Sequence, residues 1–512
     1  MILIAGVCLH LPGIQRPLLG NFAIYQTAQA MIARFFLEDH FTSVLYPRVN
    51  VLVNGEPSLL LLYYPVASLL AAGLKFILGG PLDVWGRIQA VLFFAASGAY
   101  LYGFVSKQGS PRLGILSLAA FCLCPLTLIY GQSFQNEMAT VFFSLGFFYH
   151  FKSALEKSSN VHTGIAALMG SGILLTRPNN LFLLLPALFL ALSAPRGKKI
   201  PAVLRLSFCA AAGLVLPALW YWHVWRVSVT HSNIYSTLFA QLMARSRFAS
   251  PVVLNAGYYL GLLKVIADIV LTPPGFVFFL AGIFFAFARP ARETMFFAVW
   301  SFAFLASSLL IPKKLIEHNF YWLHFLGGAL PLCALGFEEL SRKIAAPGLR
   351  KKTGFFFLAV VFLFSMRYSL HPAFKTSEAD RFVIPIAAEL QKLTQKNNSR
   401  IVVQGTHALL YYADRYGWPF TVIKTGTVSD YYTGMNWEKL PEEQWNRRNE
   451  AFKDPVTTLE YLRTAEGATH FIETNPAELK QNADFSTYLD SHFRRIANAE
   501  NAWAIYDLKE TP

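Results

Sequence analysis

The sequence predicts a polytopic α-helical membrane protein with a C-terminal soluble α/β domain. Three observations carry this. Only 14% of the 512 residues are charged, against about a quarter in soluble proteins, while 54% are hydrophobic and 45 are Phe. The apolar residues come in long blocks. Charge also divides the chain: residues 1–370 hold 28 Lys and Arg against 11 Asp and Glu, residues 371–512 hold 16 against 19. The basic excess lies in the apolar part, where loop cations that set topology account for it, so it does not point to a nucleic acid partner. This balance excludes a disordered chain and an ordinary soluble enzyme. The five cysteines, Cys8, Cys122, Cys124, Cys209 and Cys333, all lie in apolar stretches, so the tail has neither a disulfide framework nor a zinc cluster.

The elements follow in order. Residues 1–14 are apolar but shorter than the ~20 a spanning helix needs. They lack the basic start and small-residue cleavage site of a signal peptide and read as a clipped first membrane helix. Twelve further apolar blocks follow, at 58–78, 85–105, 113–130, 138–151, 163–175, 181–192, 204–225, 257–271, 275–288, 294–311, 320–336 and 354–365. The basic loops at 107–112, 152–157, 196–205, 289–292 and 342–352 are expected to face the cytoplasm. With the N-terminus inside, parity requires that blocks 58–78 and 257–271 do not span. About 11 spans remain, and the tail lands outside. Residues 1–370 thus form a transmembrane domain whose first external loop is 15–57. Within that loop, 22–37 is expected to be an amphipathic helix, able to lie in the membrane interface. In the tail, 371–512, strands are expected at 400–404, 469–473 and 502–507, and helices at 407–416, 456–465 and 485–493. This alternation suggests a small layered sheet domain. It has no Gly-rich phosphate loop, and the chain shows no internal repeat.

Charged residues near the membrane invite a functional reading. Glu56 sits in Asn54-Gly55-Glu56-Pro57 before an apolar block, and Glu137 follows Gln135-Asn136. Each could equally serve a helix start, where an acid favours the dipole. Glu38 and Asp39 are further external acids, with Asp83 a weaker candidate. Arg16, Arg34, Arg48, Arg177, Lys313 and Lys314 lie on the outer side without a topological need. They are either solvated or hold an anionic headgroup. His318 and Tyr321 are either interfacial anchors or pocket residues. An outward cavity with carboxylates, a His and cations suits a lipid-phosphate donor and a hydroxyl or amine acceptor. A carboxylate would deprotonate the acceptor while cations stabilise the leaving phosphate.

The ordered motifs carry a resemblance. They are Gly20-Asn21-Phe22-Ala23-Ile24-Tyr25-Gln26-Thr27-Ala28, Ala33-Arg34, Leu45-Tyr46-Pro47-Arg48, Glu56-Pro57, Phe134-Gln135-Asn136-Glu137, Thr176-Arg177-Pro178, His318-Asn319-Phe320-Tyr321, and in the tail Leu410-Tyr411-Tyr412 and Gly417-Trp418. Over most of its length the chain resembles the GT-C membrane glycosyltransferases related to the dolichyl-phosphate-mannose protein mannosyltransferases and the lipid A aminoarabinose transferase. The resemblance implies inverting transfer of one sugar from a polyprenyl-phosphate donor. The acceptor would be a lipid-linked glycan, lipid A, polysaccharide or protein on the outer face of a bacterial inner membrane. It implies Glu56, Glu137 and Asp39 as catalytic candidates and Arg34, Arg48, Arg177, Lys313 and Lys314 for the donor phosphate. Gln26, Asn136, His318 and Tyr321 would line the pocket. Some members use a divalent metal, and no dense carboxylate cluster here demands one. The chain departs from the family at 21–33, where members carry an Asp and this sequence has no acid. Two other readings follow: a flippase or transporter of lipid-linked sugar, and a catalytically degenerate member that binds polyprenyl phosphate.

Overall fold

The computed structural model describes residues 1–20, 22–53, 55–230, 251–344, 360–361, 363–365, 367, 380–405, 407–420, 422, 454–499 and 502–510. In chain order the first part contains α1 (Ile2–Cys8), α2 (Ala23–Glu38), β1 (Arg48–Val53), β2 (Glu56–Leu59), α3 (Val66–Leu78), α4 (Leu82–Gln108), α5 (Pro111–Leu123), α6 (Pro125–Tyr130), α7 (Glu137–Lys157), α8 (Asn160–Thr176), α9 (Leu184–Leu192) and α10 (Lys199–Thr230). After residue 250 come α11 (Ala256–Val265), α12 (Thr272–Ala288), α13 (Arg292–Ser308), α14 (Pro312–Glu317) and α15 (Leu326–Ile344). The tail contains α16 (Val383–Leu393), β3 (Arg400–Gln404), α17 (Ala408–Ala413), β4 (Tyr416–Phe420), α18 (Pro455–Thr464), β5 (His470–Glu473), α19 (Pro476–Leu479), α20 (Ala483–His492), β6 (Arg494–Ala499) and β7 (Trp503–Asp507).

Among the described residues, two helices are long and apolar enough to span a membrane alone, Leu82–Gln108 and Lys199–Val227. The pair Ala256–Val270 and Thr272–Ala288 qualifies together but is bent by 114°. Although α7 and α8 run unbroken through theirs, several other apolar blocks are divided into shorter helices. Pro125 is one reason: Cys124 before it is extended, with ψ 134, so the 113–130 block breaks into α5 and α6. Two glycines set one helix crossing. A Cβ on Gly282 would lie 1.9 Å from the Leu332 carbonyl oxygen, and one on Gly336 would lie 2.0 Å from that of Phe278. The backbones of α12 and α15 therefore touch, as small residues permit between membrane helices.

The tail sheet is larger than the sequence suggests. Its seven strands run β2-β1-β4-β3-β5-β7-β6. Strands β4, β3 and β5 are parallel, β7 and β6 antiparallel, and the β1–β2 hairpin from the first loop joins in parallel at Val51↔Gly417. Gly55, at φ 79, turns that hairpin, and Glu56 pairs with Val53 directly after it. The first loop and the tail thus share one sheet.

Helix α2 follows the same logic. Its face Ala30, Met31, Ile32 and Phe36 is buried in one core with Val49, Val51 and the tail's Ile386, Leu409 and Leu410. The expected membrane-interface helix is instead a bridge to the tail, because that apolar face is covered by protein. Arg34 reinforces this bridge. It pairs with Asp414, donates to the Tyr411 carbonyl at 2.7 Å and stacks 4.3 Å over the Tyr411 ring. Lys396 joins Glu38 at 2.8 Å and Asp414 at 3.0 Å. Burial alone would raise the Asp414 pKa, but Arg34 and Lys396 outweigh it and hold the carboxyl below its ordinary value.

Candidate functional site

The site forms where two antiparallel helices end. Helix α7 begins at Glu137 and α8 ends at Thr176, so the first residue of one and the residue after the other, Arg177, meet. Arg177 donates to Glu137 Oε1, and both side chains are almost fully buried. Pro178 stops α8 and holds Arg177 in an extended conformation. Three rings surround the guanidinium: Tyr63 at 4.6 Å, Phe320 at 4.8 Å and Tyr321 at 5.2 Å. Such desolvated cation–ring contacts are worth up to about 2 kcal/mol each. The pair does not exhaust its own hydrogen-bonding capacity: among the described residues, Glu137 Oε2 and Arg177 Nε are buried without a partner.

A second layer fixes this centre. Asn136 donates to the Tyr64 carbonyl at 2.9 Å and accepts from the Ala67 amide at 2.8 Å, which ties the start of α7 to the chain around Tyr63. Gln26 accepts from the Phe134 amide at 3.2 Å. His318 stacks on Phe320 at 5.1 Å and meets the edges of Phe22 and Tyr25, each at 5.9 Å. Tyr130 donates to Asn319. Phe22 opens α2 at φ 55, an unusual conformation for a bulky residue.

A pocket adjoins this centre, lined by residues that include Tyr25, Gln29, Val51, Tyr63 and His407. Tyr63 and Tyr25 belong both to the pocket and to the rings packed around Arg177 and His318. His407 comes from the tail, and burial lowers its pKa to about 4, so it is neutral at pH 7. The tail is also anchored from the helical side. Tyr411 and Tyr412 donate to the two oxygens of Asp83 at 2.6 and 2.7 Å. One turn along α4, the buried Arg87 donates to the carbonyls of Arg16, Pro17 and Gln132, which fixes the segment leading into α2.

The structure brings six of the sequence candidates together: Glu137, Arg177, Asn136, Gln26, His318 and Tyr321. It does not bring the others there. Arg34 is committed to Asp414 and Tyr411, so its charge is spent on the tail. Asp39 ends α2, where it accepts from Ser43. At 1.5 Å per residue it lies roughly 20 Å along the helix from Tyr25. Glu56 and Arg48 are exposed on the hairpin, and Glu56 begins strand β2 where an apolar helix was expected to follow it. Lys313 and Lys314 fall in α14, and their side chains lie outside the described residues. Tyr63 and His407 were not singled out for the site; Tyr25 and Phe320 stand in the quoted motifs without a role, and Asp83 was only a weaker external acid. The Tyr63-Tyr64 pair closing an apolar run was the available signal for Tyr63. Among the described residues no three His, Cys, Asp or Glu side chains come together as a metal-ligand set.

No family model and no curated protein matches the sequence. Solved structures do match. ArnT from Cupriavidus metallidurans bound to undecaprenyl phosphate aligns with a TM-score of 0.67 at 14% identity, over 99% of this chain and 97% of that one. The archaeal oligosaccharyltransferase AglB from Archaeoglobus fulgidus, in complex with an inhibitory peptide and a dolichol-phosphate, gives 0.59 at 10% identity, over 99% and 73%. The arabinofuranosyltransferase AftD from Mycobacteria gives 0.54 at 12% identity, over 99% and 41%. All three are GT-C glycosyltransferases, which are polytopic membrane proteins. At these identities the likeness is one of fold, and the chain has the GT-C glycosyltransferase fold of the membrane.

Proposed function

We propose that the protein transfers one sugar from a polyprenyl-phosphate donor to an acceptor on the extracytoplasmic side of a bacterial inner membrane. The carrying observation is the buried Arg177–Glu137 pair beside the Tyr25–Tyr63–His407 pocket, with one acceptor atom and one donor atom unused. A buried polar atom without a partner is costly and calls for one. Substrate would supply both partners. Glu137 Oε2 takes the proton from the acceptor hydroxyl as that oxygen bonds to the anomeric carbon. The bond from that carbon to the phosphate oxygen breaks with inversion, and Arg177 takes up the charge on the departing polyprenyl phosphate. The rings around Arg177 keep water out, which strengthens this electrostatic term.

A second reading has its own support. The stretch 21–33 carries no acid, and Phe22 fills the start of α2 with an aromatic ring. That fits a protein that binds polyprenyl phosphate without transferring sugar. One experiment separates the two: purified protein in nanodiscs with radiolabelled polyprenyl-phosphate sugars and a membrane-lipid extract. Transfer that falls by at least about 100-fold in Glu137→Gln and persists in Glu56→Gln and Asp39→Asn supports the enzyme. Retained binding of polyprenyl phosphate with no transfer from any donor supports the second reading. Loss in Glu56→Gln but not in Glu137→Gln overturns the site.

A further inference from the structure

At the far end of the helix bundle lies a second concavity, of about 1110 Å³, that the proposed transfer site does not use. Its position follows from helix direction. Helix α7 starts at Glu137 in the site and ends at Lys157, beside Lys152 and Glu156 of the concavity wall. Its 21 residues span roughly 30 Å, the thickness of a bilayer core. Helix α4 runs the same way, from Asp83 near the site to Gln108 in the wall. The two sites therefore sit at opposite ends of the same helices.

The wall is charged and unevenly so. Lys152, Lys198, Arg205 and Arg292 line it with Glu156 and Glu293. Lys152 and Glu156 pair with each other at 3.5 Å, which leaves three cations facing one carboxylate. Two of the three are held in place. Arg205 donates to Thr163 Oγ1 at 2.7 Å and to the Ser158 carbonyl at 3.0 Å, and Arg292 donates to the Ser193 carbonyl at 2.9 Å. Both keep further N–H groups, because a guanidinium has five. Gln108 adds an independent signal. It is 4% exposed, lines the concavity, and its Oε1 has no partner among the described residues.

An apolar groove lies farther along the same helix. Helix α10 contributes Ala202 and Arg205 to the charged wall and, from the next residue on, Leu206, Cys209 and Gly213 to a groove against α8 and α9. A basic head site with an apolar groove farther along the same helix matches an amphiphile. We propose that this site binds an anionic glycerophospholipid of the leaflet opposite the transfer site. Its phosphate would sit among Lys198, Arg205 and Arg292, a headgroup hydroxyl would donate to Gln108 Oε1, and an acyl chain would enter the groove. Topology alone asks for basic loops. It does not ask for cations gathered around one concavity on a helix that also lines an apolar groove.

The test uses the full-length protein in nanodiscs. Bound lipid is counted by native mass spectrometry after exchange into phosphatidylcholine or phosphatidylglycerol, with inorganic phosphate added as a competitor. The expected result is preferential retention of phosphatidylglycerol that phosphate does not displace. Lys198→Gln with Arg292→Gln removes two exposed cations, so folding should survive and retention should weaken roughly thirtyfold. A second variant, Ala210→Phe, narrows the groove. It should weaken the long-chain lipid and leave dihexanoyl phosphatidylglycerol unaffected. Equal retention of the two lipids, displacement by inorganic phosphate, or unchanged retention in the double variant would each overturn the proposal.

Discussion

The Arg177–Glu137 pair allows structural and chemical roles to be separated by a double-mutant cycle. Both side chains are almost fully buried, so removing one partner leaves an uncompensated charge. Glu137→Leu alone and Arg177→Met alone should each cost about 3–5 kcal/mol. Replacing both with apolar side chains of similar volume removes the charge problem. The remaining loss is the set of ring contacts to Tyr63, Phe320 and Tyr321, about 1–2 kcal/mol in total, since they share one guanidinium. The double variant should therefore be more stable than either single one, with a coupling energy of at least about 4 kcal/mol. Transfer should stay absent in all three. The assay is a thermal melt in nanodiscs read beside the radiolabelled transfer assay. If the double variant recovers transfer along with stability, the pair is scaffold and the proposed chemistry is refuted. If the single variants melt like the unaltered protein, the burial argument itself is refuted.

Three further outcomes follow from the geometry. His407 titrates at about 4 in the fold against 6.5 when unfolded, so the unfolded chain binds the extra proton between those values. Stability should fall as pH drops from 6.5 towards 4, by up to about 3 kcal/mol, and His407→Phe should flatten that limb of a pH-dependent melt. Asp414 has the opposite ground state: it is stabilised ionised by Arg34 and Lys396. Its contribution, under about 1 kcal/mol for a part-exposed pair, is present above the ordinary carboxylate pKa and lost as pH falls through the lowered one; hydrogen exchange of α2 should quicken there, and Asp414→Asn should abolish that acid-dependent step. Finally, Gly336→Ala drives a methyl group into the Phe278 carbonyl. It should cost about 1–3 kcal/mol in a melt, whereas Gly73→Ala, where a Cβ meets nothing within 4 Å, should not destabilise.

Much of this was legible residue by residue, and the failures have physical causes. Strand β3 is a β-branched run, Arg-Ile-Val-Val-Gln, and was placed to the residue. Strand β4, Tyr-Gly-Trp-Pro-Phe, was not expected: only Tyr416 fell in an expected element, the end of the 407–416 helix, and Gly and Pro are depleted in strands. Gly417 is there for a reason that only the partner strand supplies: a Cβ would lie 1.8 Å from the Ile401 carbonyl. The hairpin's place on the tail sheet joins Val51 to Gly417, and no local pattern encodes a pairing that distant. The site is an intermediate case. Glu137 and Arg177 were each singled out, and their meeting follows from α7 and α8 being antiparallel neighbours joined by two residues. Arg34 could not be assigned correctly, because its partner lies 380 residues away.

The missing first-loop acid bears on which carboxylate can do the work. Phe22 occupies the left-handed region, a conformation that costs of order 1 kcal/mol and more for a bulky side chain. It persists because its ring is gripped by Tyr25, Tyr130, His318 and Phe320. At the start of α2 the chain thus puts an aromatic wall where the resemblance expects a carboxylate. Four carboxylates are buried among the described residues: Glu137, Glu338, Asp380 and Glu473. Glu338 is held by Arg112 and Arg342 and lies about 18 Å along α15 from Leu326. Glu473 sits on β5 and Asp380 at the start of the described tail, outside the Arg177 ring cluster. Glu137 alone combines burial, a cationic partner, and an unused oxygen in the aromatic centre. On the proposed function, the proton leaves to Glu137 on α7 and not to the first loop. An acid introduced as Phe22→Glu would enter the same cluster of rings around Arg177, and on this reasoning it should compete for that cation and lower transfer instead of raising it.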